Sequence, residues 1–313
     1  MKIGDIGGEF SLIDREVRRG GCVVGVGDDA AVIKYRRDRY LLFTTDMLCE
    51  GDHFRINWST PKQIGMKAME VNVSDIAAMG GLPTYALISL SLTPQTSVDF
   101  VDRLYDGIYE AADKYDVNVV GGDTTHADLM VLNVAMLGEV EKDMLCLRSD
   151  AKVGDLIGVT GDLGKSAAGL ELLKAGIKGR VVDHLEPKCR LREGRKIAKY
   201  AHAMIDVSDG LASEVNHICE MSKVGAVLRR EDIPVSASTR ESAAKVEKDP
   251  LDYALNGGED FELVFTIPKR DLKRIHVDCP LSVVGEIVDR SEGVAIEDCG
   301  KLKPLTGGYD HFK

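Results

Sequence analysis

GVGDDAAVI, residues 25–33, sets two adjacent aspartates between a glycine-paired turn and an apolar run with strand character. Two ionised carboxylates this close repel, so Asp28 and Asp29 need a proton, a cation, a basic side chain or solvent to hold both charges. A plain surface turn uses the same residues, because Gly and Asp are ordinary turn formers. Repetition argues for more. Residues 40–45 run into Asp46, residues 117–120 into Gly121, Gly122 and Asp123, and Met204 and Ile205 into Asp206 and Asp209. The expectation is that these strands end in carboxylates, at the tips where open α/β folds bind ligands.

Between them, Pro61 opens a helix expected to run to about Met79, closed by Gly80, Gly81 and Pro83. At 100° per residue, Ala68, Asn72, Asp75 and Met79 share one face. Asn72 and Asp75 stand there among buriable residues, so Asp75 is either a surface acid or a carboxylate aimed into a site. A second helix, capped by Thr96 or Ser97, turns Val101, Leu104, Ile108, Ala111 and Tyr115 inward. Strands are expected at 85–92, 130–138, 155–160 and 281–288, helices at 8–19, 187–203 and 236–248. The stretch 141–151 is polar and marks a domain boundary.

Further on, Gly164, Lys165 and Ser166 imitate the end of a phosphate-binding Walker loop. That motif needs a glycine five residues before Gly164, where the chain has Val159, so a glycine-rich helix entry explains them. Asp206 and Asp209 flank Ser208 just before a helix patterned by Leu211, Val215 and Ile218. One acid suffices as an N-cap, which leaves the other to be explained. Asn256 to Asp260 place another acid pair after paired glycines, and the chain closes on Tyr309, His311 and Phe312.

The 313 residues suit two domains or one large one, with 44% hydrophobic and 29% charged residues as in globular proteins. A formal net charge of -11 argues against a nucleic-acid partner. The N-terminus lacks a signal peptide's apolar run and no stretch reaches membrane-spanning length, so a cytoplasmic protein without a membrane partner is expected. Seven scattered cysteines without a CxxC pair read as reduced thiols, and Cys22 as a small buried hydrophobe. Few cations lie inside the acid motifs, so converging acids would need metal. Hard oxygen ligands favour Mg²⁺ or Mn²⁺, and Mg²⁺ commonly shares itself with nucleotide phosphates. A calcium-binding protein would want an EF-hand loop, which this chain lacks.

GVGDDAAVI, TTDMLCEGDHF, KAMEVNVSDIAAMGG, GGDTT, IDVSDGL, NGGEDFEL and terminal GYDHF, in this order, with GEFSLI near the start, resemble the thiamine-monophosphate kinase family. That family belongs with aminoimidazole ribonucleotide synthetase, selenophosphate synthetase and a hydrogenase maturation protein. The resemblance implies an α+β fold of two domains. Residues 1–148 would form a mixed α/β domain that binds ATP and Mg²⁺ and pairs its strands across a homodimer into a barrel; residues 149–313 would form an α+β domain. It implies several Mg²⁺ ions on Asp29, Thr44, Thr45, Asp46, Asp75, Asp123, Asp206 and Asp209, with Asp28 a neighbour. ATP would contact Gly122, Asp123, Arg148, Ser208 and Asp106, and thiamine phosphate His53, Glu259 and Tyr309. Residues 176–186 match the family poorly. The implied reaction is ATP-dependent phosphorylation of thiamine phosphate to thiamine diphosphate. Two rivals stand beside it: a related ATP-dependent synthetase, and a nucleotide-binding module without catalysis.

Overall fold

A computed structural model describes residues 11–12 and 21–309. Of the helix expected over 8–19 only residues 11 and 12 are described, and both are helical; the terminal His311 and Phe312 lie outside the described residues.

The first half builds a five-stranded sheet from β1 (Ala31–Lys34), β2 (Arg39–Cys49), β3 (Leu82–Leu92), β4 (Asn118–His126) and β5 (Val131–Glu141), in the order β1-β2-β5-β3-β4. Two helices, α1 (Pro61–Ala78) and α2 (Val98–Tyr115), cover one face of it. Strand alternation explains why. On β3, Ala86, Ile88 and Leu90 are buried against the helices, while Tyr85 and Leu87 are exposed on the other face.

Helix α1 begins where Thr60 and Gln63 form a capping box and Pro61 presets the first turn. It is enclosed on nearly every side, with Ile64, Ala68, Met69, Val73 and Ile76 all in the core. Its crossing with α2 is close because both sides present glycine. A Cβ at Gly65 would overlap the Leu104 carbonyl, and one at Gly107 the Lys62 carbonyl. Leu104 and Ile108 of α2 are fully buried, each contributing roughly 1.5–3 kcal/mol of hydrophobic stabilisation.

The second half holds a seven-stranded sheet. Its elements are β6 (Asp155–Thr160), α3 (Lys165–Ala175), α4 (Val182–Leu185), α5 (Leu191–Ile197), β7 (Ala203–Asp206), α6 (Leu211–Ser222), β8 (Gly225–Arg229), α7 (Ala237–Lys245), α8 (Pro250–Asn256), β9 (Leu263–Pro268), β10 (Leu281–Val288), β11 (Val294–Asp298) and β12 (Lys301–Pro304). The strand order is β12-β11-β8-β10-β6-β9-β7. Each half has its own hydrophobic core, and a smaller cluster with Ala78, Cys146, Met204 and Phe265 fills the seam between them. The architecture is a two-domain α+β fold.

Four expectations need correction. Asp46 is not at a strand tip, because β2 continues to Cys49, paired with β5 along its whole length and with Asp46 opposite Val134. Asp123 likewise lies inside β4, which keeps its parallel pairing with β3 through Gly122 and Asp123 to His126. Only Asp206 ends its strand. The helix expected over 187–203 shrinks to α5. Cys189 N donates to Glu70 Oε2 (2.9 Å) and Arg190 reaches Glu262 (2.6 and 2.7 Å), which holds the chain out of helix; beyond it His202 N already pairs with Thr266 O (2.8 Å). Cys22 is half-buried rather than buried.

The Walker-like entry is not a phosphate loop. Asp260 accepts hydrogen bonds from the Gly164 and Ser166 amides (2.5 and 3.0 Å) at the start of α3, and Lys165 pairs with buried Glu262. The protein's own carboxylates take the positions a phosphate would need.

Candidate active site

The opening turn, the middle of β2, the α1 face and the end of β7 converge. Asp29, Asp75 and Asp206 bring ligand oxygens within 4.8 Å of one another. Hydroxyls orient two of them: Thr44 Oγ1 donates to Asp75 Oδ2 and Ser74 Oγ to Asp206 Oδ2, each at 2.5 Å. Asp46 joins through its amide, which donates to Asn72 Oδ1 (3.1 Å), so the polar α1 face expected to meet a site does meet one. Ser74 and Asp206 come from opposite domains, and the cluster forms at the seam.

Arg148 answers how the Asp pair is held. Its Nη2 lies 2.5 Å from Asp29 Oδ1, and its backbone amide donates to Asp28 Oδ2 (3.2 Å). One guanidinium cannot balance the whole group. Burial, then the neighbouring Asp29, pushes Asp28 up to about 7. Burial likewise lifts Asp46 to about 6. Asp75 and Asp206 are raised well above the carboxylate range, by burial first, then by Asp46 beside Asp75 and Asp29 beside Asp206. Asp29 Oδ2 is buried without a hydrogen-bond partner. An all-oxygen donor set with an orphaned carboxylate oxygen and surplus negative charge fits a hard divalent cation.

Next to the cluster opens a cleft of about 510 Å³, lined by Asp46, His53, Ser208, Asp209, Glu259 and Tyr309 among others. Asp209 and Ser208 do not cap α6: Gly210 holds that position without a side-chain bond. Instead Asp209 N donates to buried Glu214 Oε1 (2.9 Å), whose own pKa burial and then Asp209 raise well above the ordinary value. Across the cleft, Glu259 adopts a left-handed φ of 65° and its amide donates to Ser208 O (2.8 Å). His53 Nδ1 accepts from Cys49 N (3.1 Å). Tyr309 N donates to Asp209 O (3.0 Å) and its hydroxyl to Asp52 Oδ1 (3.3 Å).

Of the residues named from the sequence, Asp29, Thr44, Asp46, Asp75, Arg148 and Asp206 thus gather at the cluster, and His53, Ser208, Asp209, Glu259 and Tyr309 line the cleft with Asp46. Thr45, Asp106, Gly122 and Asp123 do not line it; all four are exposed, and Thr45 bonds Asn133 on the uncovered sheet face (3.2 Å). Sequence reasoning missed Lys67, Glu214 and His184. Each is a polar residue in a buried setting, and Glu214 shares the apolar face of Leu211, Val215 and Ile218, a signal open to inspection.

Comparisons with known proteins cover both halves of the chain. Residues 27–140 match the family model for the N-terminal domain of AIR synthase related proteins, and residues 152–298 that for the C-terminal domain. The chain is similar to the thiamine-monophosphate kinase of Aquifex aeolicus (38% identity, 100% of both chains covered) and to that of Bacillus subtilis (35%; 97% of this chain, 99% of the relative). A solved structure of AaThiL complexed with AMPPCP and TMP superposes with a TM-score of 0.89 at 37% identity, covering 99% of each chain. The hydrogenase maturation protein HypE in complex with ATP shares the fold at a TM-score of 0.74 and 21% identity, over 96% of this chain and 95% of that one. Full-length identity at this level, carried by both halves, means that the chain belongs to the thiamine-monophosphate kinase family.

Proposed function

We propose that the protein transfers the γ-phosphoryl group of ATP to the phosphate of thiamine phosphate, giving thiamine diphosphate and ADP. The observation that carries the reading is the convergence of Asp29, Asp75 and Asp206 from two domains beside a cleft lined by His53, Glu259 and Tyr309. The acceptor phosphate, with a second pKa of about 6, is already largely ionised at neutral pH, so no strong general base is needed. The demands on the protein are alignment and charge neutralisation.

In this reading Asp29, Asp46, Asp75 and Asp206, with Thr44 and Asp209, hold Mg²⁺; Thr45 and Asp123 belong to the same proposed set from outside the cleft. When bound, Mg²⁺ would offset the charge on the transferring phosphoryl group and the nucleotide phosphates. Ser74 and Thr44 fix which oxygens of Asp206 and Asp75 point away from them. Arg148 steadies Asp29 and, with Ser208, Gly122, Asp123 and Asp106, makes up the proposed ATP contacts. His53, Glu259 and Tyr309 receive thiamine phosphate. The domain division at 148/149 belongs to the proposal too.

The same reading includes a cytoplasmic homodimer. No helix among the described residues is long and apolar enough to cross a membrane. The uncovered face of the first sheet carries Phe43, Met47, Tyr85, Leu87 and Val120, each 45% exposed or more, and a second copy of this sheet would bury that apolar strip.

A coupled assay for thiamine diphosphate from thiamine phosphate, ATP and Mg²⁺ tests the reading. Turnover is expected; none with Mg²⁺ present overturns it. Direct transfer also predicts that rapid quench with labelled ATP traps no covalent phosphoprotein, and one formed at a competent rate removes that mechanism.

A further inference from the structure

Lys67 lies mid-way along α1, 3% exposed, between Ile64 and Ala68 of the core. A buried ammonium is costly unless all its donors are used. Here Nζ donates to His53 O (2.9 Å) and to Glu259 Oε2 (2.9 Å), with Glu259 Oε1 in ion-pair contact at 2.8 Å. Two of the cleft-lining groups assigned above to thiamine phosphate are therefore tied to one lysine. They come from different domains, His53 from the loop after β2 and Glu259 from the loop before β9. His184 completes the arrangement from α4, with Nδ1 3.1 Å from Glu259 Oε2 and 3.0 Å from Ser166 Oγ.

A buried ion pair is weak evidence for stability, since a methionine would pack in the same space without the desolvation cost. What this pair does provide is geometry. The Glu259 backbone sits in a left-handed conformation, and its carboxylate is met on Oε2 by Lys67 and His184 and on Oε1 by Lys67 alone. Oε1 keeps the larger spare acceptor capacity, suited to an N–H donor such as the amino group of an aminopyrimidine.

Resting on the functional reading above, we propose that Lys67 is a positioning residue that sets the distance between His53 and Glu259 across the domain seam and thereby determines affinity for thiamine phosphate. The test compares Lys67→Met, Glu259→Gln and the double variant with wild type, by steady-state kinetics and by calorimetric binding of thiamine phosphate. Lys67→Met is expected to raise KM and Kd for thiamine phosphate about 10- to 100-fold, the loss of hydrogen bonds to a charged group, with KM for ATP moving less than about twofold. The double variant removes both charges, so it is expected to fold even where Lys67→Met strands a buried carboxylate. Because Lys67 acts largely through Glu259, its effect is expected to fall well short of multiplying with that of Glu259→Gln. A thiamine phosphate KM unchanged in Lys67→Met, equal rises for both substrates, or full multiplication in the double variant overturns the proposal. A wild-type chain that makes no thiamine diphosphate defeats the functional reading itself, a result distinct from a working enzyme that is indifferent to Lys67.

Discussion

Arg148 and Glu259 occupy opposite electrostatic situations in one site. Arg148 is a single cation among too many acids, and Asp29 is the acid it holds most closely. Asp29→Asn removes a proposed ligand and leaves Arg148 with Asp28. Mg²⁺ titrated into chelator-stripped wild type is expected to raise stability by about 2.7 kcal/mol at a hundredfold excess over Kd. The variant is expected to lose most of that increment in scanning calorimetry and to need about 10- to 100-fold more Mg²⁺ for turnover. Glu259 shows the reverse balance: although burial raises its pKa, Lys67 and then His184 hold it down at about 2, against an ordinary 4.5. A depressed carboxylate stabilises the fold fully above its unfolded pKa and loses that stabilisation as pH falls through the folded one. Urea unfolding of wild type should therefore show stability falling between pH 4.5 and about 2, with a shallower fall in Glu259→Gln; parallel slopes would refute the coupling.

Helix α1 is the element that joins everything. It supplies Lys67 to the cleft, Glu70 to Lys114 and Tyr115 of α2 (both 2.6 Å), Asn72 to β2 and Ser74 to Asp206 of the other domain. Only an enclosed helix can aim polar groups in so many directions, and its enclosure depends on close approach to α2. Gly107→Ala forces a methyl into the Lys62 carbonyl, so an overpacking loss of about 1–3 kcal/mol is expected in denaturant unfolding. Because Lys67 and Asp75 ride on α1, any backbone shift also reaches the site, and thiamine phosphate KM should rise with the lost stability. An alanine variant as stable as wild type would show that the helices have room to separate.

As a whole the protein is two domains that each fold around their own core and share a site at the seam. In the proposed dimer a second copy covers the uncovered sheet face: Leu87→Arg puts a charge on that strip, and the expected outcome in sedimentation velocity is a dimeric wild type and a monomeric variant. A wild-type monomer would end the dimer proposal. Much was legible from residue order alone. Local periodicity predicts α1 within one residue of its observed end, α2, and the strands β6 and β10, because helix face and strand alternation are properties of short stretches. The acid motifs around Asp29, Asp46, Asp75 and Asp206 were also readable as a set, and Asp29, Asp75 and Asp206 do converge. What residue order could not reveal was long-range. Asp46 and Asp123 looked like strand ends because glycines and acids interrupt the apolar pattern, yet pairing with β5 and β3 carries the strands through them. Lys67, His184 and Glu214 are isolated polar residues in sequence and gain meaning only from partners brought near by folding. The sequence by itself determined the element types, the acid inventory and the family; the tertiary structure alone decided which acids share one volume, that Arg148 contacts both Asp28 and Asp29, and that Lys67 binds both walls of the cleft. The physical reason is range: backbone propensity acts over a few residues, whereas charge compensation and burial depend on distant neighbours, as with Lys67 and Glu259, 192 positions apart in the chain.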